Sequence, residues 1–348
     1  MAYTTFHLRV AAVALGASLA SGGIAAAETP AEFFRGKSVK LLISSSPGGG
    51  YDTYGRMLAK HLVRHIPGEP QLVPQNMQGA SGKRLANYMF NVAPRDGSAI
   101  AGIHRNIPTD PIIGVPDSNY DSRAFNWLAS LNNEVSVCAA WHTAPVTTIE
   151  QARSRELIVG AQPNSDSEVF PAVMNNMIGT KFKVVNGYPS GTDIELAMEK
   201  REVDGRCGWS WNSLASIKAD WLRDRKVAVL VQMSMTKHPE LPEIPLLLDM
   251  VRDPSDRQAL ELIFARQVFA RPYLAPPAVP ADRVAALRAA FLAVTRDPAF
   301  LADIEKQKFE LNPIGGEEMQ AYVARLYETP PAVVERAAAV MKQSSAAE

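Results

Sequence analysis

The chain has 348 residues, with 36 basic and 36 acidic side chains, six histidines and two cysteines. A balanced charge makes nucleic acid and anionic membrane surfaces poor candidates as partners, so any charge selectivity must be local. Two cysteines are too few for a thiolate metal site, and no histidine pair has HExxH-type spacing.

In chain order, His7 and Arg9 make a weakly basic start, Val10 to Ala20 an apolar run, and Ala25-Ala26-Ala27 a small-residue cleavage site. This is the layout of a secretory signal peptide, predicting residues 1–27 as leader and a periplasmic protein from Glu28. The run is shorter than the ~20 apolar residues that cross a bilayer. Val39 to Ser44 then reads as a strand buried on both faces, followed by the loop Ser45 to Gly50. Asp52 to Ile66 is periodic in Tyr54, Met57, Leu58, Leu62 and Ile66, predicting a helix capped by Asp52 and stopped at Pro67-Gly68. A strand at Leu72-Val73-Pro74, a loop Gly79 to Gly82, a helix Lys83 to Asn91 and a strand Ser98 to Ile103 complete this half.

The same order recurs later. Leu157 to Gly160, Phe182 to Val185 and Val203 to Trp209 are strands, Glu168 to Ile178 and Asp193 to Lys200 helices, and polar loops fill the junctions. Val227 to Met233 is a further strand, Ser255 to Phe264 a helix and Gln267 to Ala270 strand-like. The segment holding Pro272, Pro276, Pro277 and Pro280 cannot be helical. Helices at Asp282 to Thr295, Pro298 to Lys306 and Glu317 to Glu328, and one after Pro331, form the tail. Alternating strands and helices predict an α/β protein of two lobes, each with a mostly parallel sheet and flanking helices, around a ligand cleft. Residues 28–135 and 266–348 are assigned to the first lobe and 136–265 to the second. Cys138 and Cys207 lie in strand-like segments that could be neighbours; a disulfide and two buried thiols both remain open.

Four strand-to-helix loops carry the functional argument. In Ser46 to Asp52, the triplet Gly48-Gly49-Gly50 removes side chains where a helix start offers unpaired N–H donors and a positive dipole end, an anion site. Gly79 to Gly82 with Ser81, Asn164 to Ser167 with Ser165, and Tyr188-Pro189-Ser190-Gly191 up to Asp193 supply neutral donors at equivalent places, facing each other across a cleft. Turns use the same residues, so each loop alone is weak evidence. Arg105 is the favoured carboxylate partner, since guanidinium forks onto carboxylates; a surface or inter-lobe ion pair fits it equally well. Arg206, Arg271 and His104 are further charged candidates, and Trp209 and Trp211 could wall the cleft. Arg56-Met57 stands where a P-loop needs Lys-Ser/Thr, and no Gly-x-Ser-x-Gly elbow is present, which argues against a nucleotide enzyme or a hydrolase.

These motifs resemble the extracytoplasmic solute receptors of tripartite tricarboxylate transporters, the Bug family. Pro47-Gly48-Gly49-Gly50-Tyr51-Asp52 is similar to the family's Pro-Gly-Gly-Gly-x-Asp, Asn76 to Gly82 to its Asn-x-x-Gly-Ala-x-Gly, and Ala93 to Gly97 to its Ala-Pro-x-Asp-Gly. Leu241 to Pro245 and Ala275 to Pro280 match in order, so the resemblance covers nearly all of the mature chain. It implies a periplasmic receptor that closes on a carboxylate, holds it by backbone amides and delivers it to membrane permease subunits, without cofactor, metal or chemistry, as a monomer. Those contacts fall on Gly48 to Asp52, Gly79 to Gly82, Asn164 to Ser167 and Ser190 to Asp193. Ser44-Ser45-Ser46, Tyr51 and Pro163 to Asp166 depart from the family pattern inside the pocket, so no ligand identity carries over. A sensor subunit built on the same module is the alternative, and an exported enzyme a minor one.

Overall fold

The computed structural model describes residues 1–2 and 28–342; the signal-peptide expectation lies outside them. Two sheets organise the chain. The first is built from β1 (Ser38–Ile43), β2 (Gln71–Asn76), β3 (Ala99–Gly102) and β4 (Asn126–Ser130), preceded by the short α1 (Pro30–Phe34) and interleaved with α2 (Gly50–Leu62) and α3 (Lys83–Asn91). The second holds β5 (Ser136–Trp141), β6 (Leu157–Ala161), β7 (Phe182–Asn186), β8 (Gly205–Ser210) and β9 (Val227–Met233). Its helices are α4 (Ile149–Ala152), α5 (Asp166–Ile178), α6 (Gly191–Glu199), α7 (Trp211–Ile217) and α8 (Ala219–Arg223). Beyond β9, α9 (Leu247–Met250) and α10 (Pro254–Phe264) lead back to the first sheet through β10 (Pro272–Ala275). The chain ends with α11 (Ala281–Val294), α12 (Pro298–Lys306), β11 (Ile314–Gly315), α13 (Gly316–Leu326) and α14 (Pro331–Met341).

The strand orders are β11-β4-β10-β3-β1-β2 and β7-β6-β8-β5-β9. The expected repeat is therefore real in topology: β2-β1-β3 and β7-β6-β8 are both parallel βαβαβ units. The two-lobed α/β architecture holds, with mixed sheets. β10 pairs antiparallel with β3 and β4, and β5 antiparallel with β8 and β9. Pro74 is tolerated because β2 is an edge strand, and Pro272 because it opens β10. The strand-like stretch Gln267 to Ala270 is instead a 3-10 turn over Ala265–Phe269.

Continuous apolar runs become the central strands: all of β3, β5 and β10 is buried. One apolar cluster joins the lobes, from Leu42, Leu85 and Trp127 to Cys138, Val159 and Phe264, and α14 packs on α5 and α10. Cys138 and Cys207, fully buried on the paired strands β5 and β8, form a disulfide.

Candidate functional site

Three helices of the parallel units start two residues earlier than the sequence indicates. Asp52 is not the cap of α2, nor do Glu168 and Asp193 begin α5 and α6; each occupies the third position of its helix. There the acid reaches backward, as in a capping box. Asp52 accepts from the N–H of Gly48 at 2.9 Å, Glu168 from the N–H of Asn164, and Asp193 from the Ser190 hydroxyl at 2.6 Å. These helix starts face the gap between the lobes.

That gap encloses a cavity of about 260 Å³. This is close to the lower end of the ~300–1,000 Å³ range of small-molecule pockets. The starts of α2, α5 and α6 all line it. They differ in capping. Ser165 caps α5 by accepting from the N–H of Ser167, and Asp166 fills its first position. Gly49 has no side chain to cap α2, and Ser190 makes no capping bond to α6. First-turn N–H groups have no partner within their helix, so α2 and α6 present donors and a positive dipole end to the cavity.

The glycine triplet divides its work. Gly48 sits at φ +79°, in left-handed space that disfavours side chains. A Cβ on Gly50 would lie 2.5 Å from the Ser213 hydroxyl, so this glycine lets the lobes approach. Gly49 has no such clash, its nearest neighbour being the Ser46 carbonyl at 3.5 Å, and it lines the cavity.

Charged side chains close the rest. Arg105 crosses from lobe to lobe: its Nε donates to Asp166 at 2.6 Å and its Nη2 to the Ser136 hydroxyl at 2.6 Å and the Gly208 carbonyl at 3.2 Å. Of the two readings open for Arg105, the inter-lobe ion pair is the arrangement present. Arg266 shares Asp166, its Nη1 donating at 2.8 Å. Arg271 pairs with Glu134 at 3.0 Å and donates to the Ser210 and Ser213 hydroxyls at 3.2 Å each. Burial would discharge Asp166, but Arg105 and Arg266 hold its pKa below the usual carboxylate value. Asp110, near Arg266, is pushed up to about 6 by burial, partly offset by that arginine. Burial also drives His104 down to about 4, so the imidazole stacked 4.6 Å from the Tyr51 ring is neutral at pH 7. Nearer the α6 start, Arg206 and Lys218 both face Glu195, at 2.8 and 3.5 Å.

Of the sequence-derived candidates, Ser46, Gly48, Gly49, Gly50, Tyr51, Arg105, Ser165, Ser167, Ser190 and Gly191 come together on the cavity wall, with Trp209. Six stand off it. Asp52 and Asp193 brace helix starts, and Gly79 precedes a 3-10 turn. Ser81 ties the lobes by donating to the Pro163 carbonyl at 2.6 Å. Asn164 borders a separate cavity, and Tyr188 lies over Gly160. Trp211 is a core residue whose indole N–H donates to Glu240. Glu195, Ser213 and Lys218 also line the cavity and were not among the sequence-derived candidates. Glu195 lies one helical turn beyond Gly191 and so shares its face, a signal that was available; Ser213 and Lys218 have no local signature. Among the described residues, no group of His, Cys, Asp and Glu could hold a metal ion, and no helix is long and apolar enough to cross a membrane.

No family model and no curated protein matches the sequence. Solved structures do match in three dimensions. The periplasmic binding protein BugD superposes with a TM-score of 0.66 at 18% identity, over 84% of this chain and 94% of its own. Two Rhodopseudomonas palustris proteins are similar. One, solved with adipate, gives 0.67 at 17% identity over 86% and 97% of the two chains. The other, MatC with bound malate, gives 0.65 at 16% over 88% and 99%. The fold is that of a periplasmic binding protein. In that fold the cleft between lobes is where the cavity described above lies.

Proposed function

We propose that this chain is a periplasmic solute receptor of the Bug type, which captures a small organic carboxylate and delivers it to a membrane permease. The observation that carries the reading is the inter-lobe cavity into which two uncapped helix starts project. Backbone N–H groups of Gly50 and Tyr51 would hold one carboxylate, with the open space at Gly49 admitting it. Bound malate and adipate in proteins of the same fold support the ligand class. The work of such a receptor is mechanical: a ligand that touches both lobes favours the closed form by as much as it binds that form better.

Thermal-shift screening of the mature protein against organic acids, followed by calorimetry, tests the reading. A hit should raise the melting temperature without turnover. Gly49→Leu should abolish that binding while the unliganded protein melts within a few degrees of wild type. Unchanged affinity in Gly49→Leu, or no acid bound by wild type, would sink it.

A further inference from the structure

Charges on the cavity wall, together with those paired to them, fall into two groups with different balances. In the deep group, Arg105, Arg266 and Arg271 interleave with Asp110, Glu134 and Asp166, three cations against three carboxylates. The outer group has two cations, Arg206 and Lys218, on the single carboxylate of Glu195. Arg206 and Glu195 are largely buried, with side-chain exposures of 16% and 11%. An uncompensated cation in a buried wall is costly unless an anion joins it.

The geometry shows where that anion would sit. Arg206 uses Nη1 on Glu195 and, at 3.4 Å, on the Gly191 carbonyl. Its Nε is buried without a partner, and no partner is found for Nη2 among the described residues. The guanidinium lies across the indole of Trp209 at 4.9 Å, which fixes its plane. A Cβ on Gly191 would come within 2.3 Å of Nη2, so the free edge lies against the first residue of α6, whose start is uncapped. Guanidinium, ammonium and first-turn N–H groups thus converge on one place in the second lobe, while the Gly49–Tyr51 turn occupies the first.

We propose that Arg206 and Lys218 form a second anion subsite, making the preferred ligand a dicarboxylate that spans the lobes. This rests on the receptor reading above and deepens it. One carboxylate meets the α2 turn, the other meets Arg206, and Trp209 and Ile217 offer apolar wall for the chain between them.

The test compares acids matched in length: glutarate and adipate against pentanoate and hexanoate, by calorimetry on the mature protein. Wild type should bind the diacids at least about tenfold more tightly, the value of one charged hydrogen bond. Arg206→Gln and Lys218→Met should each erase most of that preference and leave monoacid affinity within about twofold, with Arg206→Lys retaining part of it. Equal loss for both acid classes, or a diacid affinity indifferent to Arg206, overturns the subsite. Should Arg206→Gln unfold early in a ligand-free melt, Lys218→Met gives the same comparison from a more exposed position. Wild type that binds monoacids as tightly as diacids would refute this inference alone, whereas wild type that binds no carboxylate would refute the receptor itself.

Discussion

The two arginine groups of the cavity show how one residue type serves opposite ends. Arg105 and Arg266 pair with Asp166, and Arg271 with Glu134 and two serine hydroxyls, so each deep cation has a carboxylate and the group holds the lobes together, although Arg266 and Arg271 also keep buried N–H groups without a partner. Arg206 has a single carboxylate that it must share with Lys218, and part of its donor fork is unspent. What separates a structural arginine from a recognising one here is the local count of carboxylates. Burial does not separate them, since both groups are largely withdrawn from water.

The largest expected effect comes from breaking the deep group. Asp166→Ala leaves two buried guanidinium groups short of their shared partner, and removal of one side of a buried pair costs about 3–5 kcal/mol. Urea denaturation should show that loss. A change under about 1 kcal/mol would mean the deep arginines are as free as Arg206. Next comes the outer group, approached through its neighbour. Gly191→Ala puts a methyl into the space of the Arg206 guanidinium and should weaken diacids several-fold, roughly 1 kcal/mol, with monoacids and stability nearly unchanged. Calorimetry decides it, and equal loss for both acids would detach Gly191 from the second subsite.

The smallest effect involves another lobe-to-lobe tie, outside both groups. His238 bonds Glu310 at 2.8 Å, and that hydrogen bond raises the histidine pKa above its ordinary value. Burial works on Glu310 in the upward direction, but His238 and Asn132 hold it below the usual value. A raised histidine pKa stabilises fully below its unfolded value near 6.5, and the contribution is lost as pH rises through the folded pKa. The lowered Glu310 pKa adds its part above about 4.5 and loses it in acid. The pair should therefore help most between roughly pH 4.5 and 6.5, by under about 1 kcal/mol because the Glu310 side chain is 35% exposed. Stability curves should decline more from pH 6 to 8 in wild type than in His238→Gln. Parallel curves would show that the pair contributes nothing.

Much of this architecture was legible locally. Lys83 to Asn91 and Pro298 to Lys306 match their helices residue for residue, because apolar spacing and flanking Gly or Pro act within a few residues. The helix starts were misplaced by two residues each because Asp52, Glu168 and Asp193 bear the chemistry of a cap while acting from the third position. Loop positions on the cavity were found because a strand end followed by Gly or Ser marks a junction. Arg206 and Arg271 were noticed only as charges, since nothing beside them in the chain says what they face.

By itself the sequence determined the α/β class, the doubled strand–loop–helix order and the glycine-rich turn, all consequences of periodicity and backbone freedom over short spans. Tertiary structure decided which charges are cancelled. Arg105 meets Asp166 across 61 positions and Arg266 meets it across 100, while Arg206 finds Glu195 only 11 away and must share it with Lys218. Electrostatic balance depends on distance in space and on exclusion of water, and neither is written in the spacing of residues along a chain.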